Sequence, residues 1–528
     1  TLTALTWGAP GQNSAATAAT GHRAIVRLAQ GLESLPLSTL EAAQPEADRP
    51  PQTPPTDQSA ARVIDLTLTD LLTLTLQGNR ELRNAALQRI VQRQELNAAE
   101  QAFDPQFTPT LRVDVTQNLS ASGTEIIETD DGLRVFNDAT DIENQALLSL
   151  SLDARQGTDM TLGVDPLDDT QPLLFRATQP LLRGAGRAVN EAPVDQARLQ
   201  ETQNQLAFRD TTITTITAAI TRYTNLINAQ SRVRIQVQAL ERRQQELAIQ
   251  RALVEAGRRA RLDLFETERS VADAERDLAD AQNQLLQANR DILNLVGTDQ
   301  NLQFVASEAT VAQLFASAVE RADTYDQTAL VALALERRPD YRQAQLQRRQ
   351  LELARLIATD NLRWRLDAVT SGNLGDFSQS TVGLLATRTF DEPQLETAKI
   401  RSDIALEQQD NTLVRLEETI RNDVIAALGD VQSNLLRVEA AERATLNARR
   451  QLQVARTQFS LGRGSVTQFQ LLDQEEQLVR AQTEEIAARV AFLNGVAQLE
   501  QTVGTTLASW ADQVDLTPVL RNMDAFSP

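Results

Sequence analysis

The stretch Phe459-Ser-Leu-Gly-Arg-Gly-Ser-Val-Thr-Gln-Phe-Gln-Leu-Leu-Asp473 interrupts a long helical pattern with two glycines. Gly462 and Gly464 can adopt the backbone angles of a tight reversal, which residues with a Cβ adopt only at a cost. Phe469 and Leu472 then return at helical spacing and indicate a second amphipathic helix. The stretch therefore predicts the tip of a helical hairpin.

A second stretch of the same kind lies earlier in the chain, at Leu253-Val-Glu-Ala-Gly-Arg-Arg-Ala-Arg-Leu-Asp-Leu-Phe-Glu266. Its glycine, Gly257, aligns with Gly464 of the later stretch. The helix that follows each tip ends at a glycine, Gly297 or Gly504, and these two glycines are 207 residues apart (504 minus 297). The order of helix, strands, long helix, tip and helix thus occurs twice, which indicates an internal duplication.

Between the helical segments, the spacing of apolar residues changes from helical to alternating. Such alternation predicts strands with one apolar face and one polar face. The predicted strands form a group within residues 103–180 and a pair within residues 362–390. The alternating runs are Phe107 to Leu119, Ala146 to Ala154, Leu173 to Ala177, Leu362 to Ala368 and Val382 to Ala386.

The composition limits the possible functions. A formal net charge of −20 argues against a nucleic-acid partner, because phosphate binding needs a positive surface. The chain has no cysteine and one histidine, His22, so it offers no thiolate nucleophile and no cysteine-ligated metal. The glycine patterns of phosphate-binding loops and serine hydrolases do not occur. We therefore predict no catalytic residue, no metal site and no cofactor.

Five segments are predicted along the chain. Residues 1–60 are rich in proline and are expected to form a disordered extension. Residues 61–297 and 328–504 are the two repeats, a linker at 298–327 separates them, and residues 505–528 form a tail. No apolar run reaches the length of about 18 residues that a transmembrane helix needs.

The predicted strand pairs need partners, since a single pair is not stable alone in water. A soluble sandwich would supply them, but it requires many evenly spaced strands and no helices of about 100 Å. In lipid, open sheet edges are not allowed, so strand pairs from several chains must close into a barrel. Apolar faces turned outward and polar faces turned inward would then enclose a water-filled pore.

With this combination of features, the chain resembles the TolC-type outer membrane efflux protein family. The resemblance rests on the two glycine tips, the duplication and two short motifs. These motifs are Phe103-Asp-Pro-Gln-Phe-Thr-Pro109, which enters the first strand, and Gln179-Pro-Leu-Leu-Arg-Gly184, which leaves the first strand group. The similarity covers roughly residues 60–510. Each piece alone is weakly specific, whereas their order, repeated twice, is strongly specific.

The resemblance implies a mainly α-helical homotrimer with a membrane β-barrel. Each chain would supply two strand pairs and two long helical hairpins. Three copies would form a 12-stranded outer membrane barrel that continues into a periplasmic α-barrel, with residues 298–327 in an equatorial belt. We therefore predict that the extra alternating segment near 141–165 forms an external hairpin; if it entered the barrel, the trimer would have about 18 strands.

The resemblance also implies a function, that of the exit duct of a tripartite efflux or type I secretion system in a diderm bacterium. Substrates would pass passively to the exterior, and a periplasmic adaptor protein and an inner membrane pump would be the partners. Iris-like opening of the helical tips would gate the duct, and the pump would supply the energy.

Residues near the tips are the candidate gate. The family carries acidic gate residues just after the second tip: Asp473 matches one, and Gln470 stands where the other is expected. Asp263 and Glu266 are the corresponding acids after the first tip. Arg463 is a candidate ion-pair partner for a neighbouring acid. The alternative is that these side chains belong to an ordinary solvated helix face.

Two further sets of residues are singled out. For adaptor binding, the resemblance points to the residues of the tips themselves, Gly257, Arg258, Gly462 and Arg463. Four aromatic residues lie in or beside the strands of a chain with only 4% aromatic residues, which suggests anchoring at the membrane interface. They are Phe107, Phe175, Trp364 and Phe390. Ordinary strand packing would explain them nearly as well.

Two other classes of protein remain open on the sequence. A soluble periplasmic coiled-coil or adaptor-like protein would share the helical hairpins, but it would not need duplicated alternating strands. A structural surface protein would use the barrel only as an anchor. The substrates, the particular pump and the resting state of the gate are not encoded in any pattern we find.

Overall fold

A computed structural model of the chain provides its fold from residue 62 onward. The predicted extension at 1–60 lies outside the described residues, as does the tail beyond residue 514. Within the described ranges, no helix combines the length and the apolar character needed to cross a membrane. The described residues are 62–117, 125–129, 132–136, 140–164, 173–258, 261–298, 302–373, 380–388, 392–460, 467–511 and 514.

The first half of the described chain runs from a short strand through a sheet into a long helical hairpin. Its strands are β1 Arg62–Leu66, β2 Gln106–Gln117, β3 Glu125–Thr129, β4 Gly132–Phe136, β5 Thr140–Asp153, β6 Asp159–Val164 and β7 Leu173–Pro180. Its helices are α1 Leu68–Gly78, α2 Arg80–Glu100, α3 Arg187–Asn190, α4 Ala192–Glu255 and α5 Arg261–Val296. Helix α4 has 64 residues, which is about 96 Å at 1.5 Å per residue.

The second half repeats this order with fewer strands. Its strands are β8 Leu302–Ala306, β9 Arg365–Asn373 and β10 Thr381–Thr387. Its helices are α6 Glu308–Ala322, α7 Gln327–Arg337, α8 Pro339–Asn361, α9 Pro393–Ser460, α10 Gln468–Val503 and α11 Thr506–Trp510. Helix α9 has 68 residues and, with α10, forms the second long hairpin.

The long helices pack side by side in a row of four. Toward the tips the order of contacts is α9, α10, α4, α5, and toward the sheet it is α9, α8, α4, α2. Helix α4 is central in both parts, and its buried residues include Ile216, Ile220 and Tyr223. The Tyr223 hydroxyl donates to the carbonyl of Leu66 at 3.1 Å, which ties the core of α4 to β1. Strand β1 in turn pairs in parallel with β8.

A buried ion pair joins α2 to α4. The guanidinium of Arg89 donates two hydrogen bonds to the carboxylate of Glu201, one of them 2.7 Å long, and both side chains are almost fully buried. Burial alone would raise the pKa of Glu201, but the hydrogen bond and positive charge of Arg89 prevail and hold that pKa below its usual range. Neither charge could be removed alone without leaving its partner buried and unpaired.

Six strands form one antiparallel sheet in the order β10, β9, β7, β6, β5, β2. The prediction of two strand pairs per chain is therefore wrong. The predicted twelve-stranded barrel rested on that count and concerns an assembly of three chains, which a single chain does not show. The segment near 141–165 supplies β5 and β6 of this sheet, each paired on both sides, and does not form a separate hairpin. A separate two-stranded hairpin, β3 with β4, does lie outside this sheet. Alternation identifies a strand and its faces but carries no information about the partner strand.

The motif Gln179-Pro-Leu-Leu-Arg-Gly184 lies where the helices meet the sheet. The amide groups of Leu181 and Arg183 donate to the carbonyls of Leu366 and Trp364, which extends the pairing of β7 with β9. The amide of Gly184 donates to the buried carboxylate of Asp360 at 2.6 Å, at the end of α8. The motif thus fixes the position of one strand pair relative to the helix row.

We predict that Gly297→Ala destabilises the protein more than Gly257→Ala. Both glycines have a left-handed backbone, with φ of 77° and 70°. A Cβ at Gly297 would lie 2.5 Å from the carbonyl oxygen of Gly78, whereas a Cβ at Gly257 would meet open space. We expect a cost of about 1–2 kcal/mol at Gly257 and about 2–4 kcal/mol at Gly297. The midpoint of thermal unfolding, followed by the helical circular dichroism of detergent-solubilised protein, measures the difference, and equal shifts would contradict it.

Candidate functional site

The first tip ends α4 in a left-handed glycine. The amide of Arg258 donates to the carbonyl of Leu253 at 2.8 Å, and the amide of Gly257 donates to that of Val254 at 3.0 Å. These two bonds are those of a Schellman motif, which satisfies the last carbonyls of a helix and reverses the chain. Gly257 and Arg258 are both exposed. They lie at a free end of the hairpin, where the sequence predicts adaptor contacts.

The second tip restarts as α10 with a capping box. The Thr467 side chain accepts from the amide of Gln470 at 3.3 Å, and the Gln470 side chain accepts from the amide of Thr467 at 2.9 Å. This reciprocal pair satisfies two of the free amides at the helix start. Gln470, predicted as a gate residue, therefore has a structural role that a Thr-x-x-Gln pattern indicates in the sequence. Gly462 and Arg463 lie outside the described residues.

Two of the predicted gate acids, Asp473 and Glu266, are exposed on different helices. Asp473 is exposed on α10, and its carboxylate accepts from the Gln477 side chain at 2.7 Å. Glu266 is exposed on α5. Asp263 lies on the same helix, but its side chain is outside the described part of the chain. Asp473 and Glu266 are thus available to solvent or to another chain.

The two hairpins are joined near their tips by a polar contact that the sequence analysis missed. Gln250 of α4 is 0% exposed and Gln468 of α10 is 4% exposed. The Gln250 amide group donates to the side-chain oxygen of Gln468 at 2.8 Å and to that of Glu246 at 2.8 Å. The remaining oxygen of Gln250 and the nitrogen of Gln468 have no hydrogen-bond partner among the described residues. The hydrogen bond between Gln250 and Gln468 can form only while α4 and α10 stay in contact. It offsets part of the free-energy cost of burying the two amide groups.

A buried carboxylate lies two turns further along α10. Glu475 accepts from Arg456 of α9 at 2.5 Å, and its side chain is 4% exposed. Arg242 of α4 is half-buried nearby. Burial lowers the pKa of Arg242, while the negative charge of Glu475 acts in the opposite direction. Glu475 therefore interacts with one arginine of its own hairpin and one of the other hairpin.

We call Gln250, Gln468, Glu475, Arg456 and Arg242 the tip cluster. Its members on α10 share a seam with two buried leucines, Leu471 and Leu478. Positions 468, 471, 475 and 478 follow the heptad spacing of a coiled-coil core. A polar residue at such a position fixes the register of the packed helices. The buried positions of Gln468 and Glu475 could therefore have been predicted from the sequence, because both are polar residues at core positions of a heptad.

The predicted interface aromatics occupy different parts of the sheet. Phe107 of β2 is exposed, and Phe175 of β7 is half-buried. Through the strand register they lie in one row with Leu150 and Leu162, on one face of the sheet. Trp364 lies just before β9, and the guanidinium of Arg388 stacks over its ring at 4.9 Å. Phe390 is outside the described residues, and interface anchoring stays a prediction.

No group of three or more His, Cys, Asp or Glu side chains that could hold a metal ion occurs in the part of the chain that the structure describes. A cavity of about 740 Å³ is lined mainly by apolar side chains of α4, α5, β8, α6 and α10. One of its two lining arginines, Arg489, lies over the ring of Phe315 at 5.6 Å and forms ion pairs with Glu442 and Glu485. The positive charge of Arg489 is therefore already compensated.

Comparisons with known proteins agree with this geometry. Residues 176–298 match the family model described as outer membrane efflux protein. No curated protein sequence matches the chain significantly. Among solved structures, CusC is similar with a TM-score of 0.61 and 18% identity over 87% of this chain and 99% of CusC.

Two further solved structures have the same fold. The outer membrane channel CmeC of Campylobacter jejuni has a TM-score of 0.59 at 11% identity, over 90% of this chain and 98% of CmeC. The open state of the outer membrane channel MtrE of Neisseria gonorrhoeae has a TM-score of 0.57 at 14% identity, over 88% of this chain and 98% of MtrE. At these identities the likeness shows the fold. Together with the family match, it confirms the resemblance to TolC-type outer membrane efflux proteins.

We predict that Gln250→Ala loosens the tip end of α4. The substitution leaves the Gln468 amide buried without its partner, at a cost of about 1–3 kcal/mol. Faster amide hydrogen exchange in the last two turns of α4 would report this loss, and exposed Gln453→Ala serves as the control. The double variant with Gln468→Ala should cost less than the sum of the two single variants, by about 1 kcal/mol. Exchange no faster than in Gln453→Ala would contradict the role of the contact.

Proposed function

We propose, from the premise that this chain shares the fold and the family pattern of the TolC-type outer membrane efflux proteins, that it is the outer membrane exit duct of a tripartite efflux or type I secretion system. In this proposal three copies assemble, their sheets close into a β-barrel in the outer membrane, and their helix rows extend into the periplasm. The single observation that supports it is that both edges of the six-stranded sheet lack a partner strand among the described residues.

Strands β2 and β10 form the two edges of the sheet. Each has one partner strand among the described residues, so each leaves a row of backbone N–H and C=O groups without a strand partner. In lipid such groups cost several kcal/mol each, and only closure removes both edges. Pairing of β2 of one copy with β10 of the next would satisfy both rows by a single repeated contact, as in a cyclic assembly.

The helix row has matching free edges. On one side, α9 carries apolar residues that are exposed in the single chain, and they project within roughly 120° of one another at helical spacing. They are Ile400, Ile404, Val414, Ile425, Leu436, Leu446 and Val454. On the other side, α2 and α5 also expose apolar residues, namely Leu87, Ile90, Val91, Leu262, Phe265 and Leu286.

A second copy of this chain is the occupant that fits both helix edges. Strand β10 leads into α9, and α2 leads into β2, so the free edges of the sheet and of the helix row occur on the same sides. One copy can therefore complete the sheet and cover the apolar stripe of α9 at the same time. Apolar patches of this length are rarely left exposed to water in a finished assembly.

In the proposed duct the tips control passage. The tip cluster would hold the two hairpins of each chain together, and loss of those contacts would allow the hairpins to separate in an iris-like opening. Asp473, Glu266 and Asp263 would face the lumen near the constriction, and Arg463 would pair with a neighbouring acid. The exposed tip residues Gly257 and Arg258, with Gly462 and Arg463, would bind a periplasmic adaptor that connects to an inner membrane pump.

Transport through the duct would be passive and non-catalytic, with energy supplied by the pump. A soluble coiled-coil or adaptor-like protein, the main alternative, gives no reason for a six-stranded sheet with an apolar face and two free edges. A structural surface protein would need the barrel but no tip cluster that can open.

Extraction of the protein from outer membranes tests the assembly. We expect particles with three-fold symmetry, a detergent belt at the sheet end and a helical extension of about 100 Å, given the length of α4 and α9. Electron microscopy and mass photometry measure symmetry and copy number. A soluble monomeric or dimeric particle without a detergent belt would refute the proposal.

The charge at the gate gives a second test. We expect Asp473→Asn to reduce the preference of the channel for cations over anions, because three copies of the carboxylate would otherwise attract cations at the constriction. The reversal potential of single channels under a salt gradient measures this preference. Glu476→Gln is the control, since Glu476 is exposed on the same helix and paired with Arg480. An unchanged reversal potential in Asp473→Asn would remove Asp473 from the gate.

A further inference from the structure

We propose that the β5–β6 hairpin is part of the membrane wall, so that three copies of the six-stranded sheet close a barrel of eighteen strands. The inference rests on the proposed three-copy duct and adds the size of its exit. Three arguments support it, namely the position of the hairpin in the sheet, the continuity of the apolar face and the inclination of the strands.

The hairpin is inserted between strands whose helices are direct neighbours. Toward the sheet, the helix row runs α9, α8, α4, α2, and these helices adjoin β10, β9, β7 and β2 respectively. The sheet follows the same order but has β6 and β5 between β7 and β2. Both edges of the hairpin are therefore occupied by strands that continue directly from the helix row. A hairpin folded outside the sheet would leave β7 and β2 free to pair with each other.

The apolar face of the sheet continues across the inserted strands. In antiparallel pairs, residues directly opposite each other lie on the same face. One row consists of Phe107, Leu150, Leu162 and Phe175, and the next contains Leu148, Val164 and Leu173. The residues between them face the other side, and one such row consists of Gln106, Ser151, Thr161, Arg176 and Ser371.

This pattern is that of a lipid-facing side and a water-facing side. If the hairpin lay in water above the membrane, its apolar residues would have no reason to continue the apolar row of β7. Leu148 and Leu150 remain exposed in the single chain, at 37% and 41%, because no other part of the described chain covers that face fully. Lipid is the environment that suits such a face.

The strands are inclined as in a membrane barrel. The register can be followed from β2 through β5, β6 and β7 to β9, and it places Gln106, at the start of β2, opposite Ser371 of β9. Strand β9 starts at Arg365, so the starts of β2 and β9 are offset by six residues (371 minus 365). Six residues span about 20 Å and four strand spacings about 19 Å, so the strands are inclined by about 45° to the line that joins their helix-side ends. Strands of outer membrane barrels tilt by about 35–45°.

Eighteen strands make a much wider exit than twelve. At a strand spacing of about 4.8 Å and a tilt of about 40°, the backbone diameter is about 36 Å for eighteen strands and about 24 Å for twelve. Barrels of 16–18 strands are those that leave an aqueous channel in porins. The exit would therefore admit hydrated, water-soluble substrates, and the helical tips rather than the barrel would limit their size.

Single-cysteine labelling in liposomes tests the placement, since the native chain has no cysteine. Neighbouring residues of β6 face opposite sides, so we expect a charged maleimide to label Thr161→Cys at least about tenfold faster than Leu162→Cys. A bilayer-dissolved maleimide should show the reverse preference. Arg176→Cys and Phe175→Cys on β7 are the matched reference pair, because β7 lies in the wall with either strand count.

The outcomes separate this inference from the proposed function. Alternation on both β6 and β7 supports the wider barrel. Alternation on β7 with equal labelling of both β6 positions would leave the duct in place and overturn the inference. No alternation on either strand would overturn the duct and the inference together. Strand counting in a cryo-electron microscopy map of the unaltered protein decides independently of any variant, since twelve strands would exclude the proposal.

Discussion

Pairing of backbone groups at the sheet edges is the constraint on which the rest of the molecule depends. A single chain provides six strands and leaves the outer sides of β2 and β10 without strand partners. The same chain leaves the apolar stripe of α9 uncovered at the same edge. One neighbouring copy could supply both the missing strand partner and the cover for the apolar stripe in a single contact. The proposed ring of copies meets both requirements.

Two different kinds of contact join the helices of the row. Near the sheet, Arg89 and Glu201 form a buried, doubly hydrogen-bonded ion pair, and separating them would leave two buried charges unpaired. Near the tips, Gln250 and Gln468 are joined by one neutral hydrogen bond, with unused donor and acceptor groups beside it. The cost of separating neutral amides is lower than that of separating charges. By these two contacts, the row is joined more firmly near the sheet than near the tips.

Much of the fold follows from the sequence, for physical reasons that also explain the errors. The long helices, the tip at Gly257 and the strands β2, β9 and β10 were predictable, because periodicity and glycine conformation are local properties. The membership of β5 and β6 in the main sheet was not, since pairing is a tertiary property. The capping role of Gln470 and the buried position of Gln468 were readable in principle, from a Thr-x-x-Gln pattern and a heptad. The contact of Gln468 with Gln250 required the structure.

The pairing of β7 with β9 has a consequence for biogenesis. It joins residues as distant as Ala177 and Thr370, whereas β5, β6 and β7 follow one another along the chain. Closing so long a loop carries a large entropic cost, and such high contact order slows folding. In the proposed outer membrane duct, the early strands would assemble before the second half of the chain is delivered. Until β9 arrives, the exposed apolar face of those strands would be prone to aggregation, so the proposed assembly would need protection of that face along the way.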